Sequence, residues 1–308
     1  MVKLFERNKG AVMINNKIKN STSYKLFTVF NTLLMLSIMA ITIYPLLYVL
    51  FASLSKPDLF MLNKGVLLKP VGLSLESYKM VFKDPMIVIG YGNTIFVVIV
   101  GVILNMFMTV TGAYFLSRKN AKLVAPIMMM ILFTKYFSGG LIPFYFVVRA
   151  FNLNNSLLSL IIPCAINTFN LIIMRTAFIS LPDSIEESAK IDGANHIVLL
   201  FRILIPLIMP TIAVVTLYYT VEKWNAWFHA SIFLSDRTKY PLQLILREIV
   251  IQNDTVKMTT GTPLSDSAGI AETVKYAVMI VSTVPILIIY PLLQRFFVKG
   301  VMIGAVKG

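Results

Sequence analysis

Residues 186–210, EESAKIDGANHIVLLFRILIPLIMP, set a charged, hydrophilic turn between two long apolar stretches. Asp183, Glu186, Glu187 and Asp192 place carboxylates in one short loop, which a membrane protein tolerates where that loop meets something in the cytoplasm. Ser184-Ile185-Glu186-Glu187 reads as a capping box, the Ser184 hydroxyl satisfying a helix-start N–H while Glu187 reaches back. The acids also complement the positive end of the helix dipole. Gly193 tolerates positive φ and ends the short helix. After Asn195 a second helical stretch begins and runs into the membrane. The expected local structure is helix, sharp turn, helix at a membrane surface.

Working outward, the composition is that of a membrane protein. Hydrophobic residues make up 57% and charged residues 14%, and the mean hydropathy of +0.79 lies outside the range of soluble domains. The net charge of +14 would raise nucleic acid as a partner in a soluble chain, but its distribution argues against that. Lys3, Arg7, Lys9, Lys17, Lys19 and Lys25 precede the first apolar run; Arg118, Lys119 and Lys122 share a later short loop; Arg295, Lys299 and Lys307 follow the last run. With six crossings all three clusters fall on one side, which predicts both termini in the cytoplasm and some contact with anionic membrane lipid.

A spanning helix needs roughly 20 apolar residues. Six runs qualify, at about 27–52, 91–116, 123–148, 157–180, 203–234 and 274–297. The reading is an all-α polytopic protein: a cytoplasmic segment 1–26, a single transmembrane domain 27–308, a cytoplasmic loop 181–202 and a tail 298–308. The first run is too long for a cleavable signal and is expected to stay as an anchor. Of the two outside segments, residues 75–82 and the stretch holding Leu242, Leu246 and Ile249 have helical spacing, while residues 255–269 read as polar and turn-rich. Gly139-Gly140 and Pro143 predict a break near the outer end of the third run.

Charge inside a span costs roughly 2.5–3.5 kcal/mol on insertion scales. Lys135 lies in the third run, and Glu222 and Lys223 lie in the fifth among Tyr218, Tyr219, Trp224 and Asn225. Aromatic faces stack on sugar rings, and Asn, Glu and Lys hydrogen-bond hydroxyls, so these seven are candidate lining of a sugar pathway. The competing reading for Trp227 and its neighbours is the aromatic belt at the outer interface. Cys164 is alone, so no disulfide framework forms, and it is expected to be a packing residue. His196 and His229 have no partners at metal spacing, so no metal site is expected. With no Gly-Lys dipeptide there is no phosphate loop, and no catalytic cluster can be assembled.

Glu187-Ser188-Ala189, Asp192-Gly193-Ala194, Ile203-Leu204-Ile205-Pro206 and Pro210 resemble the "EAA" loop of ATP-binding-cassette (ABC) importer permeases. That pattern runs Glu-Ala-Ala, then Gly, then Ile-x-Leu-Pro; here Ser188 stands for Ala and Ile205 for Leu. Within these permeases the chain is similar to the carbohydrate-uptake group, on the side of the maltose transporter's smaller permease, and to its LplC/YtcP-like members associated with complex oligosaccharides. The resemblance implies a six-helix type I importer fold in a bacterial plasma membrane, with no enzymatic activity of its own. It implies a heterodimer with a second permease, an ATPase dimer that binds ATP and Mg, an extracytoplasmic binding protein and a sugar substrate. It also assigns roles. Glu186, Glu187, Ser188, Ala189, Asp192, Gly193, Ala194 and Pro206 would couple to the ATPase, with Ala189 and Ala194 permitting close approach. Gly304, Ala305, Val306, Lys307 and Gly308 would form a tail that reaches it. Lys135, Arg149, Lys223 and Arg237 raise an acidic oligosaccharide as substrate. The alternative is an ion-coupled secondary transporter using Lys135 and Glu222, which leaves the loop motif unexplained.

Overall fold

A computed structural model describes residues 21–63, 65–118, 122–251 and 264–305; their regular structure is helical, with no strand among them beyond one isolated bridge between Ser55 and Leu73. Contacts divide the chain into two compact units, Met1–Tyr48 and Val49–Gly308. Helix α1 (Thr22–Ser53) lies mostly in the first and carries exposed apolar side chains from Leu26 to Leu47. Its Thr28, Thr32 and Thr42 hydroxyls donate to carbonyls one turn back at 2.8–2.9 Å, so no polar group of theirs is left to lipid.

The second unit is organised on one long helix. Short helices α2 (Pro57–Leu62) and α3 (Glu76–Lys83) lead into α4 (Pro85–Leu116). Asp84 caps α4, its side chain accepting from Met86 N at 2.8 Å, with Pro85 at the first helical position. The buried face of α4 mixes small or polar residues (Gly90, Thr94, Gly101, Asn105, Thr109, Ala113) with Ile87, Val97, Val110, Tyr114 and Leu116, and the small ones let neighbouring helices approach closely. Next come α5 (Val124–Tyr136), α6 (Leu141–Ala150), a 3₁₀ turn Leu157–Leu160, α7 (Thr168–Ile179) and α8 (Asp183–Ile191). They are followed by α9 (His196–Leu207), α10 (Met209–Trp224), α11 (Trp227–Phe233), α12 (Leu242–Ile251) and α13 (Leu264–Ala305). Helix α10 packs on α4, α7 and α13, and α12 packs on α4 and α13.

The six apolar runs take three forms. Three are straight helices of spanning length: Thr22–Ser53, Pro85–Leu116 and the Ile270–Ile289 part of α13. Two are bent pairs, α5 with α6 at 119° and α9 with α10 at 87°. The fourth run is corrected: only Thr168–Ile179, 12 residues, is α-helical, because the segment before it turns through Asn167. Asn167 Oδ1 accepts from Phe169 N at 2.9 Å and so starts the helix there. The bend between α5 and α6 falls at Gly139-Gly140 as the sequence predicts, with Gly140 at φ +87°. The bend before α10 falls where Pro206 and Pro210 each withhold a backbone N–H. Residues 264–269, read as turn-rich, instead begin α13.

Buried polar groups on the α4–α10 seam are mostly paired. Thr109 Oγ1 and Tyr219 Oη lie 2.7 Å apart, and Tyr219 Oη also accepts from Asn167 N at 3.0 Å. Asn105, one turn from Thr109 and fully buried, has neither amide atom paired among the described residues. An unsatisfied buried amide costs about 1–3 kcal/mol. Asn105→Leu, of similar size, is expected to raise the melting temperature of the purified protein; a lowered melting temperature would show that the amide does structural work in the folded state.

Candidate functional site

Helix α8 has two faces. Ile185 and Ala189 point inward, Ala189 only 6% exposed and packed with Tyr114, Met174, Phe178 and Leu199. Ser184, Glu187, Ser188 and Ile191, spaced i, i+3, i+4, i+7, form an exposed stripe, and Ile191 is 86% exposed. This corrects two expectations. Ala189 permits close approach to its own bundle, not to a partner. Ser184 is not a cap, since Pro182 occupies the cap position without a side-chain hydrogen bond and Ser184 lies inside the first turn.

The C-terminus of α8 is a Schellman turn. Ala194 N donates to Ala189 O at 2.9 Å and Gly193 N to Lys190 O at 3.0 Å, with Gly193 at φ +79°. Asn195 then caps α9, its Oδ1 accepting from Val198 N at 2.9 Å. A π-helical stretch, Leu199–Leu204, follows. Pro206 is exposed beyond it.

Glu186 stands between the two faces. Its carboxylate pairs with Arg118, just past the end of α4, and with Lys190 at 3.0 Å. Partial burial pushes the Glu186 pKa up, but the hydrogen bonds from Lys190 and Arg118 and their charges outweigh it and hold the carboxyl below its ordinary value. The pairing is therefore present at neutral pH and is lost as pH falls through that lowered value. His196 meets Tyr114, with Nδ1 2.7 Å from the phenol oxygen.

The aromatic and charged residues of α10 separate into two sets. Tyr219, Lys223 and Trp224 are buried. Lys223 Nζ donates to Leu160 O at 2.8 Å, and its stem lies against Gly101. Trp224 Nε1 donates to Ser282 O at 3.1 Å. These three tie helices together and do not face an open surface in this conformation. Tyr218, Glu222 and Asn225, at i, i+4, i+7, are exposed along one stripe. Asn167 Nδ2 lies 3.4 Å from a Glu222 carboxylate oxygen, and the Phe169 and Tyr218 rings are 6.4 Å apart. The stripe thus offers apolar ring faces beside amide and carboxylate groups, the mixture that binds a sugar.

The chain as a whole is similar to known proteins. The chain is 38% identical over 289 residues to protein LplC of Bacillus subtilis, covering 94% of this chain and 97% of LplC. It is 39% identical to YtcP, the polygalacturonan/rhamnogalacturonan transport system permease of the same bacterium, over 87% of this chain and 93% of YtcP. A chain from the crystal structure of a bacterial ABC transporter involved in the import of the acidic polysaccharide alginate matches with a TM-score of 0.82 and 31% identity, over 90% of this chain and 99% of that one. This chain belongs to the sugar permeases of ABC importers. No protein-family model matches it.

The permease is accordingly an integral membrane transport subunit. Of the remaining residues singled out in the sequence, Lys135 is exposed in the last turn of α5. Trp227 lies under Arg247, whose guanidinium carbon is 4.4 Å from the ring centroid. Cys164 Sγ lies 3.8 Å from His229 Nδ1. Gly304 and Ala305 end α13, while Val306, Lys307 and Gly308 lie outside the described residues. Sequence reasoning missed Asn167 and Phe169 beside the α10 stripe, although Asn before a helical apolar run is a capping signal. It also counted Arg118 only as part of a basic cluster.

Proposed function

We propose that this permease is one half of the membrane-spanning pathway of an ATP-driven importer of oligosaccharides, and that α8 is its seat for the ATPase. The observation that carries this is the exposed stripe Ser184, Glu187, Ser188 and Ile191, on a short helix anchored beneath by Ile185 and Ala189 and ended at Gly193. Ile191, 86% exposed beside Glu187 and Ser188, gives that stripe one apolar contact among polar ones, which supports a seat for a partner protein. The partner ATPase dimer would bind ATP and Mg, the second permease would complete the pathway, and an extracytoplasmic binding protein would deliver the sugar. Both termini and α8 lie on the cytoplasmic side in this reading, and the tail from Gly304 to Gly308 runs toward the ATPase. Rigid-body movement of α8 then rocks α7 and α9, to which it is joined directly.

The substrate proposed is an acidic oligosaccharide, passing along Tyr218, Glu222 and Asn225. Support comes from the acidic polysaccharides named for YtcP and for the alginate importer, and from exposed Lys135 and Arg149. Arg237 pairs with Glu248 at 2.9 Å and Lys223 is buried, so neither adds a cation to an open surface. The test is a mild-detergent pull-down of the tagged chain from its native cells with mass spectrometry of what accompanies it. A second permease and an ATPase are expected. A stable complex without an ATPase would instead favour ion-coupled transport through Lys135 and Glu222.

A further inference from the structure

The chain connects α8 directly to α7 and α9, yet Glu186 of α8 pairs with neither of them but with Arg118 at the end of α4. The last turn of α4 is held from three sides. Arg175 on α7 donates from Nε to Leu116 O at 2.8 Å, taking up one carbonyl that the helix end leaves free. Glu186 on α8 pairs with Arg118. His196 on α9 meets the Tyr114 hydroxyl. The Arg118 guanidinium carbon lies 4.6 Å from the Tyr114 ring centroid, and its Nε and Nη2 donate to Ser117 Oγ at 3.2 and 3.0 Å, so the arginine is itself fixed on α4. The side chains of Arg118 and Glu186 are only 18% and 22% exposed, which shields the pair from screening. Tyr114, Arg118 and Glu186 themselves line a cavity of about 1100 Å³ between α8 and α5, with Met128 and Met129 on its α5 wall.

We propose that Arg118 and Tyr114 form a latch that makes the end of α4 part of the coupling element, so that displacement of α8 by the ATPase is delivered to α4 as well as to α7 and α9. Helix α4 spans Pro85–Leu116 and, at its far end, carries α12 through Gly90 and through Thr94, whose Oγ1 accepts from Leu242 N at 2.8 Å. The latch therefore gives a motion at α8 a direct route to the helices at the opposite end of α4. Arg118 is a positioning residue in this scheme, and Glu186 serves inside the chain while Glu187 and Ser188 face the partner. The proposal rests on α8 being the ATPase seat.

The test uses the transporter purified with its partners and reconstituted in vesicles, reading uptake of an oligogalacturonate and ATP hydrolysis in the same sample. Arg118→Gln and Glu186→Gln are each expected to lower sugar moved per ATP by about threefold or more, within the range reported for single side chains in coupling networks. The exchange Arg118→Glu with Glu186→Arg is expected to restore most of that loss. Tyr114→Phe removes only the bond to His196 and is expected to give a smaller loss in a fully assembled protein. An unchanged ratio in both single variants would overturn the latch. Loss of the ATPase from the purified Glu186→Gln complex would also overturn it, by placing Glu186 at the partner interface. Wild-type vesicles without ATP-dependent uptake would count against the ATPase seat itself, and that result is read before any variant.

Discussion

Gly193→Val is expected to leave the permease inserted and assembled while ATP hydrolysis ceases to drive uptake. Gly193 sits at φ +79°, and a Cβ built there meets nothing within 4 Å, so the obstacle to substitution is the backbone and not the space. The left-handed region costs an ordinary L residue about 1–2 kcal/mol and suits a β-branched one least. The cheaper outcome for valine is to abandon the turn. That breaks the bonds from Ala194 N to Ala189 O and from Gly193 N to Lys190 O, and re-aims α8 relative to Asn195 and α9. Asparagine tolerates the same φ, so Gly193→Asn should retain most of the uptake per ATP. Vesicle assays of both variants check this. Normal uptake with valine would remove the turn from the mechanism, and equal loss with asparagine would point to a side-chain clash with a partner.

At the other end of α4, Gly90→Leu is expected to destabilise the protein by about 1–3 kcal/mol or more, the range for overfilling a packed contact. A Cβ at Gly90 would come within 2.6 Å of Ile245 Cδ1 and 3.2 Å of Leu242 Cα. The isoleucine end can move, but the backbone of α12 cannot without disturbing the bond from Leu242 N to Thr94. The cluster of Val81, Ile87, Trp224, Leu242, Ile245 and Val274 would open with it. Gly92, two residues on, has nothing within 4 Å of its Cβ position, so Gly92→Leu is the matched control. Thermal unfolding in detergent should separate the two variants clearly. Equal melting temperatures would contradict the close α4–α12 contact.

Much of this architecture is legible in the sequence because membrane helices announce themselves by length and hydropathy. The apolar runs 27–52 and 91–116 fall within the helices Thr22–Ser53 and Pro85–Leu116, Leu242–Ile251 follows from helical spacing, and the Gly193 turn from one glycine after an acidic helix. Other features depend on packing that no local pattern encodes. Tyr218 and Tyr219 are neighbours about 100° apart on a helix, and only the position of α4 decides that Tyr219 is buried against Thr109 while Tyr218 is exposed. The same holds for Glu222 and Lys223. Apolarity could not show that residues 157–167 turn instead of extending α7, since leucine and isoleucine suit both forms. The capping reading failed at Ser184 because Pro182 had already set the helix start. Arg118 gave no sign of its role, because its partner Glu186 lies far along the chain and is brought near only by the return of α7.

The proposed coupling depends on an ATPase touching the exposed stripe of α8. The most direct measurement places a photo-crosslinking amino acid at Ser188, in the middle of the exposed stripe of α8, irradiates intact membranes and identifies the adduct by mass spectrometry. The expected crosslinked protein is an ATP-binding-cassette ATPase. A crosslinker at buried Ala189 should give no such adduct. Recovery of a different protein at Ser188, or of lipid alone while an ATPase co-purifies with the chain, would contradict the assignment of α8 as the coupling helix.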